Sequence, residues 1–280
     1  MADIENKMYP VYVQSVRRNS MNVFILTDLE GIPYVDDIEC MDTGSEKYRN
    51  ACRYLTNTLN VAIQICFENG ADRVYYLDGH GGGGNNRPED IDPRGTRSSI
   101  AEWQMLLQNG ELDCQIELGA HARAGTLGGF LDHTITSKAW FSHKVNGMEM
   151  SELSLHALLC AQYAVPVVAC IGDEAACKQA KEYIPDIYTG AVKKADKRNT
   201  AHTYENCENI IVSTIQEALN SYEGVSLFHM HFPAQVELTF YRTDMCDEAY
   251  ENAPESVERV NARTLRKTIP RLSYYEELKF

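Results

Sequence analysis

"NVFILTDLEGIP", residues 22–33, decides how this chain reads. The apolar run lacks the alternation of a half-exposed strand, so it predicts a strand covered on both faces. It stops at two carboxylates one residue apart, Asp28 and Glu30, with Gly31 directly after them. Strands covered on both faces belong to parallel sheets flanked by helices, and the loops at the carboxyl ends of such strands share one crevice.

Working outward, the chain alternates short apolar runs with longer helical periods. The fold class is therefore α/β, a mainly parallel sheet with flanking helices. Ser45 can cap a helix whose apolar positions Tyr48, Cys52, Leu55, Leu59, Ala62 and Cys66 recur at helical spacing, with Gly70 as its stop. "RVYYL" predicts a second strand running into "DGHGGGG", "SSIAEWQMLLQNG" a second helix, and "CQIEL" a third strand ending in "GAHARAG". "KAWFSHKV" is strand-like, Asn146 and Gly147 signal a turn, and a helix opens at Ser151. "PVVACIG" predicts another buried strand, after which Asp173 caps a further helix. Residues 191–203 are basic and polar without a clear period. Later, Ala234, Val236, Leu238 and Phe240 alternate with polar partners as in a half-buried strand, while "VERVNARTLRKTI" suits helix and strand about equally. The expected organisation is an N-terminal extension (1–20), a catalytic α/β metal-binding domain (21–220) and a small C-terminal α+β unit (221–280).

At 280 residues, with 44% hydrophobic and 24% charged side chains, the composition is that of a globular protein. Nothing approaches the roughly 18 unbroken apolar residues of a membrane span. The formal net charge of -14 argues against a nucleic-acid partner, which needs clustered Lys and Arg. Nine scattered Cys, never in a C-x-x-C pair, argue for reduced thiols in a cytoplasmic protein, not for a disulfide framework or a thiolate zinc site.

Applied to the predicted strands, the crevice rule gathers Asp28 and Glu30 from the first, Asp78 and His80 from the second, and His121 from the third. Glu152 joins them from the first turn of the helix after Ser151. Carboxylates and imidazoles without thiolate suit zinc or manganese, and a carboxylate can bridge two ions about 3.5–4 Å apart. Each residue alone has a plainer reading: a cap or solvated loop for Asp28 and Glu30, and a favourable charge at a helix N-terminus for Glu152. Their convergence on one rim favours the metal. The glycines after His80 lack the G-K-[ST] ending of a phosphate loop and suit a mobile loop at the mouth of a site. His133, beyond the Gly-rich "AGTLGGF", is a candidate acid or base. His156 shares a helix face with Glu152, and His143, His202, His229 and His231 read as structural.

"TDLEG", "DGH", "GAHARAGT", "DHT", "NGMEMSELSLHALL" and "VPVVACIGDEAA" stand in the order and approximate spacing of the zinc D-aminopeptidases of the DppA type, which this chain resembles from about Val23 to at least Ile184 and more loosely through the tail. The resemblance implies a dinuclear site, two Zn ions per chain, held by Asp28, Glu30, His80, His121 and Glu152 with Asp28 bridging. It implies His133 as the catalytic residue, a small peptide with an N-terminal D-residue as substrate, and a self-compartmentalising homo-oligomer, a decamer. Three departures stand out: the glycine run after His80, one residue inserted between His121 and His133, and His156 where Asn is typical. The rival reading is a magnesium phosphatase of the haloacid dehalogenase type, with Asp28 as nucleophile and Asp173 as a metal ligand. It gives the histidines and Glu152 no task.

Overall fold

The computed structural model describes residues 20–280. The expected extension, 1–20, lies outside them apart from Ser20. In chain order the strands are β1 (Met21–Thr27), β2 (Ala71–Asp78), β3 (Gly95–Arg97), β4 (Cys114–Ala120), β5 (Trp140–Val145), β6 (Met148–Glu149), β7 (Val167–Asp173), β8 (Tyr188–Lys197), β9 (Thr200–Thr203), β10 (Ala234–Phe240), β11 (Glu258–Asn261) and β12 (Thr264–Ile269). The helices are α1 (Glu46–Glu68), α2 (Ile100–Gln108), α3 (Glu152–Gln162), α4 (Glu174–Tyr183), α5 (Cys207–Asn220) and α6 (Thr243–Glu251).

The larger sheet runs β3-β2-β1-β4-β7-β8-β9 and is parallel except at the β8–β9 hairpin. Through α1 the chain steps from β1 to β2, and through α2 it steps back past β1 to β4. Right-handed crossovers in opposite directions place those two helices on opposite faces. Both faces of β1 are thus covered, and Val23, Phe24 and Ile25 are wholly buried. Ser45 caps α1 by accepting from the Tyr48 amide, and Ala51, Cys52, Leu55, Leu59, Ala62 and Cys66 form its buried stripe. Trp103 of α2 packs 6.0 Å from Phe24 and edge-on to His156 of α3 at 5.7 Å.

The second sheet, β11-β12-β10-β5-β6, is antiparallel. Ala234, Val236, Leu238 and Phe240 all point into a core, as their alternation predicts. Two of its strands come from the middle of the chain: the β5–β6 hairpin is the excursion between β4 and α3, and β10 pairs with β5 in the register Leu238 with His143. The segment that suited helix and strand equally is the β11–β12 hairpin. The patternless stretch 191–203 belongs to the β8–β9 hairpin at the sheet edge, where charged side chains reach solvent and blur the period. The strand read as third is β4, because a short strand of Gly95, Thr96 and Arg97, without apolar content, precedes it. All nine Cys are buried and unpaired.

Strand order reverses between β1 and β4, which makes their carboxyl ends the switch point where ligands bind in such sheets. The backbones come unusually close there. A Cβ on Gly119 would lie 2.0 Å from the Asp28 carbonyl oxygen, one on Gly31 would lie 2.3 Å from that of Ala120, and one on Gly172 would lie 1.9 Å from the same atom. Gly119 also has φ +92°, a region that costs an L-residue about 1–2 kcal/mol. Gly31 is required for this close approach, since its φ is not left-handed. With the overlap added, Gly119→Ala should lower stability by roughly 2–5 kcal/mol in chemical denaturation. A change within about 0.5 kcal/mol, the size of an ordinary surface substitution, would mean that the two backbones have room to part.

Candidate metal centre

Asp28 leaves β1 with its amide still donating to the Leu118 carbonyl at 2.8 Å, and Gly31 N–H continues the pattern onto Gly119 O at 2.8 Å. Extended backbone sends alternate side chains to opposite sides. Leu29 accordingly enters the core, while Asp28 and Glu30 face the crevice. His80 follows β2, His121 follows β4, and Glu152 opens α3 behind the Ser151 cap. All five expected ligands therefore meet at one place. The sixth candidate, Asp78, does not: its carboxylate accepts from the amides of Asn85 and Asn86 at 2.6 and 3.2 Å and shapes the loop after β2.

The cluster divides at Asp28. Its Oδ1 lies 3.3 Å from His80 Nδ1 and its Oδ2 lies 3.2 Å from His121 Nε2. Glu30 Oε2 sits 2.8 Å from His80 Nδ1, and Glu152 Oε1 sits 3.3 Å from His121 Nε2. His133 stacks on His121 with ring centres 4.0 Å apart and planes 8° from parallel, its Nε2 3.7 Å from Glu152 Oε1. Donor atoms of Asp28, Glu30 and His121, and separately of His121, His133 and Glu152, all fall within 4.8 Å of one another.

Three observations fit a metal. His121 Nδ1 donates to the Ala122 carbonyl at 3.0 Å, which turns the buried Nε2 toward Asp28 and Glu152 at 3.2 and 3.3 Å, neither contact having the geometry of a hydrogen bond. Donors bonded at about 2.0–2.1 Å to a tetrahedral ion stand about 3.3 Å apart, which is the spacing of the three Asp28 and Glu152 contacts above. The electrostatics agree. Burial alone would raise the Asp28 carboxyl, but His121 and His80 hold it well below the usual range. Burial alone would lower His80, yet Asp28 and Glu30 carry it to about 11; Asp28 and Glu152 likewise lift His121 well above its usual value. Glu152, which burial would raise, is pulled to about 2 mainly by His121. So much negative charge in one buried place demands cations, either protons on imidazole or a metal.

His133 is held in a constrained loop. Its Nδ1 donates to the Leu131 carbonyl at 2.8 Å, and both Leu131 (φ 49°) and Ile135 (φ 64°) are left-handed. A β-branched residue rarely takes that conformation, and here the Ile135 amide is tied to Glu152 Oε1 at 2.7 Å. One buried feature escaped the sequence, and a second was read from it only in part. Lys193, fully buried in β8, donates to the Glu30 carbonyl at 2.9 Å and to that of Val35, pinning the loop that carries two of the acidic residues. Nothing in a basic, patternless stretch marked it. His156 faces Glu117 at 3.2 Å behind the site; its spacing from Glu152 was the available signal. His143 is structural, as expected, donating to the Leu278 carbonyl at 2.7 Å. The phosphatase rival fails here, because the fully buried Asp173 spends one oxygen on the Ala176 amide and the other on the Phe130 amide.

Residues 21–278 match a family model described as D-aminopeptidase. A D-aminopeptidase of Bacillus subtilis (strain 168) is 30% identical over 182 residues, covering 64% of this chain and 66% of that relative, just under two thirds of each. Among solved structures, the Zn-dependent D-aminopeptidase DppA from Bacillus subtilis, a self-compartmentalizing protease, is similar over 92% of this chain and 95% of that one. The TM-score is 0.84 at 22% identity, a likeness of fold.

Imidazole binds a metal only when neutral. Because His80 and His121 hold protons through neutral pH in the metal-free cluster, titrating chelated protein with zinc near pH 7 should release protons, and apparent affinity should climb with pH across the neutral range. Proton-silent, pH-independent binding in a lightly buffered calorimetric titration would show that these histidines are not the ligands.

Proposed function

The chain belongs to the D-aminopeptidase family, and on that premise we propose that it removes N-terminal residues, D-residues by preference, from short peptides at a dinuclear zinc centre. The observation that carries the reading is the division of Asp28, one oxygen toward His80 and the other toward His121, as a bridging carboxylate requires. Asp28, Glu30 and His80 would hold one ion, and Asp28, His121 and Glu152 the other. Zinc bound there would acidify water and polarise a peptide carbonyl.

The chain's own groups supply the rest. His133 has Nδ1 committed to the Leu131 carbonyl, so Nε2 is the atom left to take a proton and pass it to the departing amine. Its stacking on His121 and the constrained loop fix that atom beside Glu152. Lys193 holds the loop of Asp28 and Glu30 from below. The related protease is self-compartmentalizing, and we read this chain as forming a homo-oligomer too, with ten subunits as the resemblance implies, acting in the cytoplasm. No helix among the described residues is long and apolar enough to cross a membrane.

Two variants test the assignment. Asp28→Asn should lose metal at both positions, read as zinc per chain in the purified protein; full occupancy would remove the bridge. His133→Ala should keep nearly all its zinc while turnover of D-alanyl dipeptides falls about 10²–10⁴-fold. Loss of one ion in that variant would instead make His133 a ligand, which its place among the donor atoms near Glu152 allows. A parallel panel of L-dipeptides tests the stereochemical preference.

A further inference from the structure

Beside the metal cluster, at the same carboxyl edge of the sheet, a cavity of about 480 Å³ opens between the start of α1 and the loop after β2. Glu46, Arg49, Asn50 and Arg53 line it from α1, at a spacing that puts them on one helix face. Arg87 and Asn86 close it from the loop. Three guanidinium groups face one carboxylate. Arg87 is partly neutralised by Asp90 at 2.9 Å and Glu89 at 3.5 Å. Arg49 and Arg53 have no carboxylate partner among the described residues: Arg49 donates to the Gly44 carbonyl at 2.6 Å and Arg53 to the Asn50 side chain. Asn86 is 8% exposed, and neither polar atom of its side-chain amide has a hydrogen-bond partner among the described residues.

The cavity is tied to the metal cluster through Asn85, which also lines it. The Asn85 amide donates to the His80 carbonyl at 2.7 Å, and its oxygen accepts from Tyr48 at 2.6 Å. Asn85 thus joins the wall of the cavity to the backbone of a metal-site histidine. Guanidinium forks match carboxylates in shape and charge and bind them in bidentate fashion.

We propose that this cavity binds the C-terminal carboxylate of a short peptide whose amino end lies at the metal cluster. The inference rests on the peptidase reading above and adds a measure of length to it. A substrate gripped at both ends, at about 3.3–3.6 Å per extended residue, is limited to few residues and must have a free acid terminus. The glycine run between His80 and Asn85 then serves as a low wall over which the peptide lies, since at Gly81, Gly82 and Gly84 nothing stands within 4 Å of where a side chain would begin.

The test compares D-Ala-D-Ala with its C-terminal amide on the zinc-loaded protein. Wild type should favour the free acid about 10- to 100-fold in kcat/KM, mainly through KM, the size expected for hydrogen bonds to a charged group. In Arg49→Gln/Arg53→Gln that ratio should collapse toward one with zinc content and melting temperature unchanged, whereas Glu46→Gln should raise it. Equal use of acid and amide by wild type, or a ratio the double variant leaves intact, overturns the proposal. Failure to cleave either peptide would overturn the peptidase reading instead. Calorimetry with N-acetyl-D-Ala-D-Ala and its amide would then still decide: acid binding that weakens in the double variant supports the carboxylate site, and binding indifferent to the arginines or to the terminus refutes it.

Discussion

The contact between two backbones at the ends of β1 and β4 governs the rest of this molecule. The parallel pairing does not stop where the strands do: the amides of Asp28 and Gly31 reach the carbonyls of Leu118 and Gly119, each at 2.8 Å. Glycine at 31 and 119 is what lets the chains come so close. Because the two backbones touch there, Asp28 is set against His121, and the remaining carboxylates and imidazoles converge on that pair. Helices that cover both faces of the sheet hold the strands that carry the cluster, while Asp28, His80 and Glu152 stay 14–21% exposed at the crevice mouth.

Charge then explains why the arrangement is costly without a cation. Asp28, Glu30 and Glu152 converge on one largely buried space, and together they raise His80 and His121 well above the ordinary imidazole value. Strain is stored in the same place. Leu131 and Ile135, each two residues from His133, hold left-handed backbone at about 1–3 kcal/mol each. Bonds from the Leu131 amide to Arg198 O at 2.7 Å and from the Ile135 amide to Glu152 offset it. The loop is thus over-determined around a histidine whose stacking and remaining free nitrogen define its chemistry.

Much of this was legible in the sequence because the relevant signals are local. An apolar run stopping at Asp28 and Glu30, a Ser45 cap, and strands followed at once by His80 or His121 each depend on neighbours within a few residues, and the rule for open parallel sheets converts them into a site. What was not legible depends on partners far along the chain. Lys193 is buried by backbone carbonyls more than 150 positions away. The β8–β9 hairpin, with charge on its outward side, shows no period. Asp78 sits where a ligand would, but its nearest donors are the amides of its own loop, and those win. The pairing of β5 with β10 joins residues near 140 to residues near 240, a distance at which sequence pattern says nothing.

That pairing ties the two sheets into one mechanical unit. His121 and His133 precede the β5–β6 hairpin and Glu152 follows it, so residues of the cluster flank an excursion that belongs to the other sheet. If the chain ended before β10, the amides and carbonyls of β5 would be left as an open edge, a template for pairing with any passing strand. The C-terminal strands thus cover an edge that the segment carrying the cluster cannot cover with its own short β5–β6 hairpin.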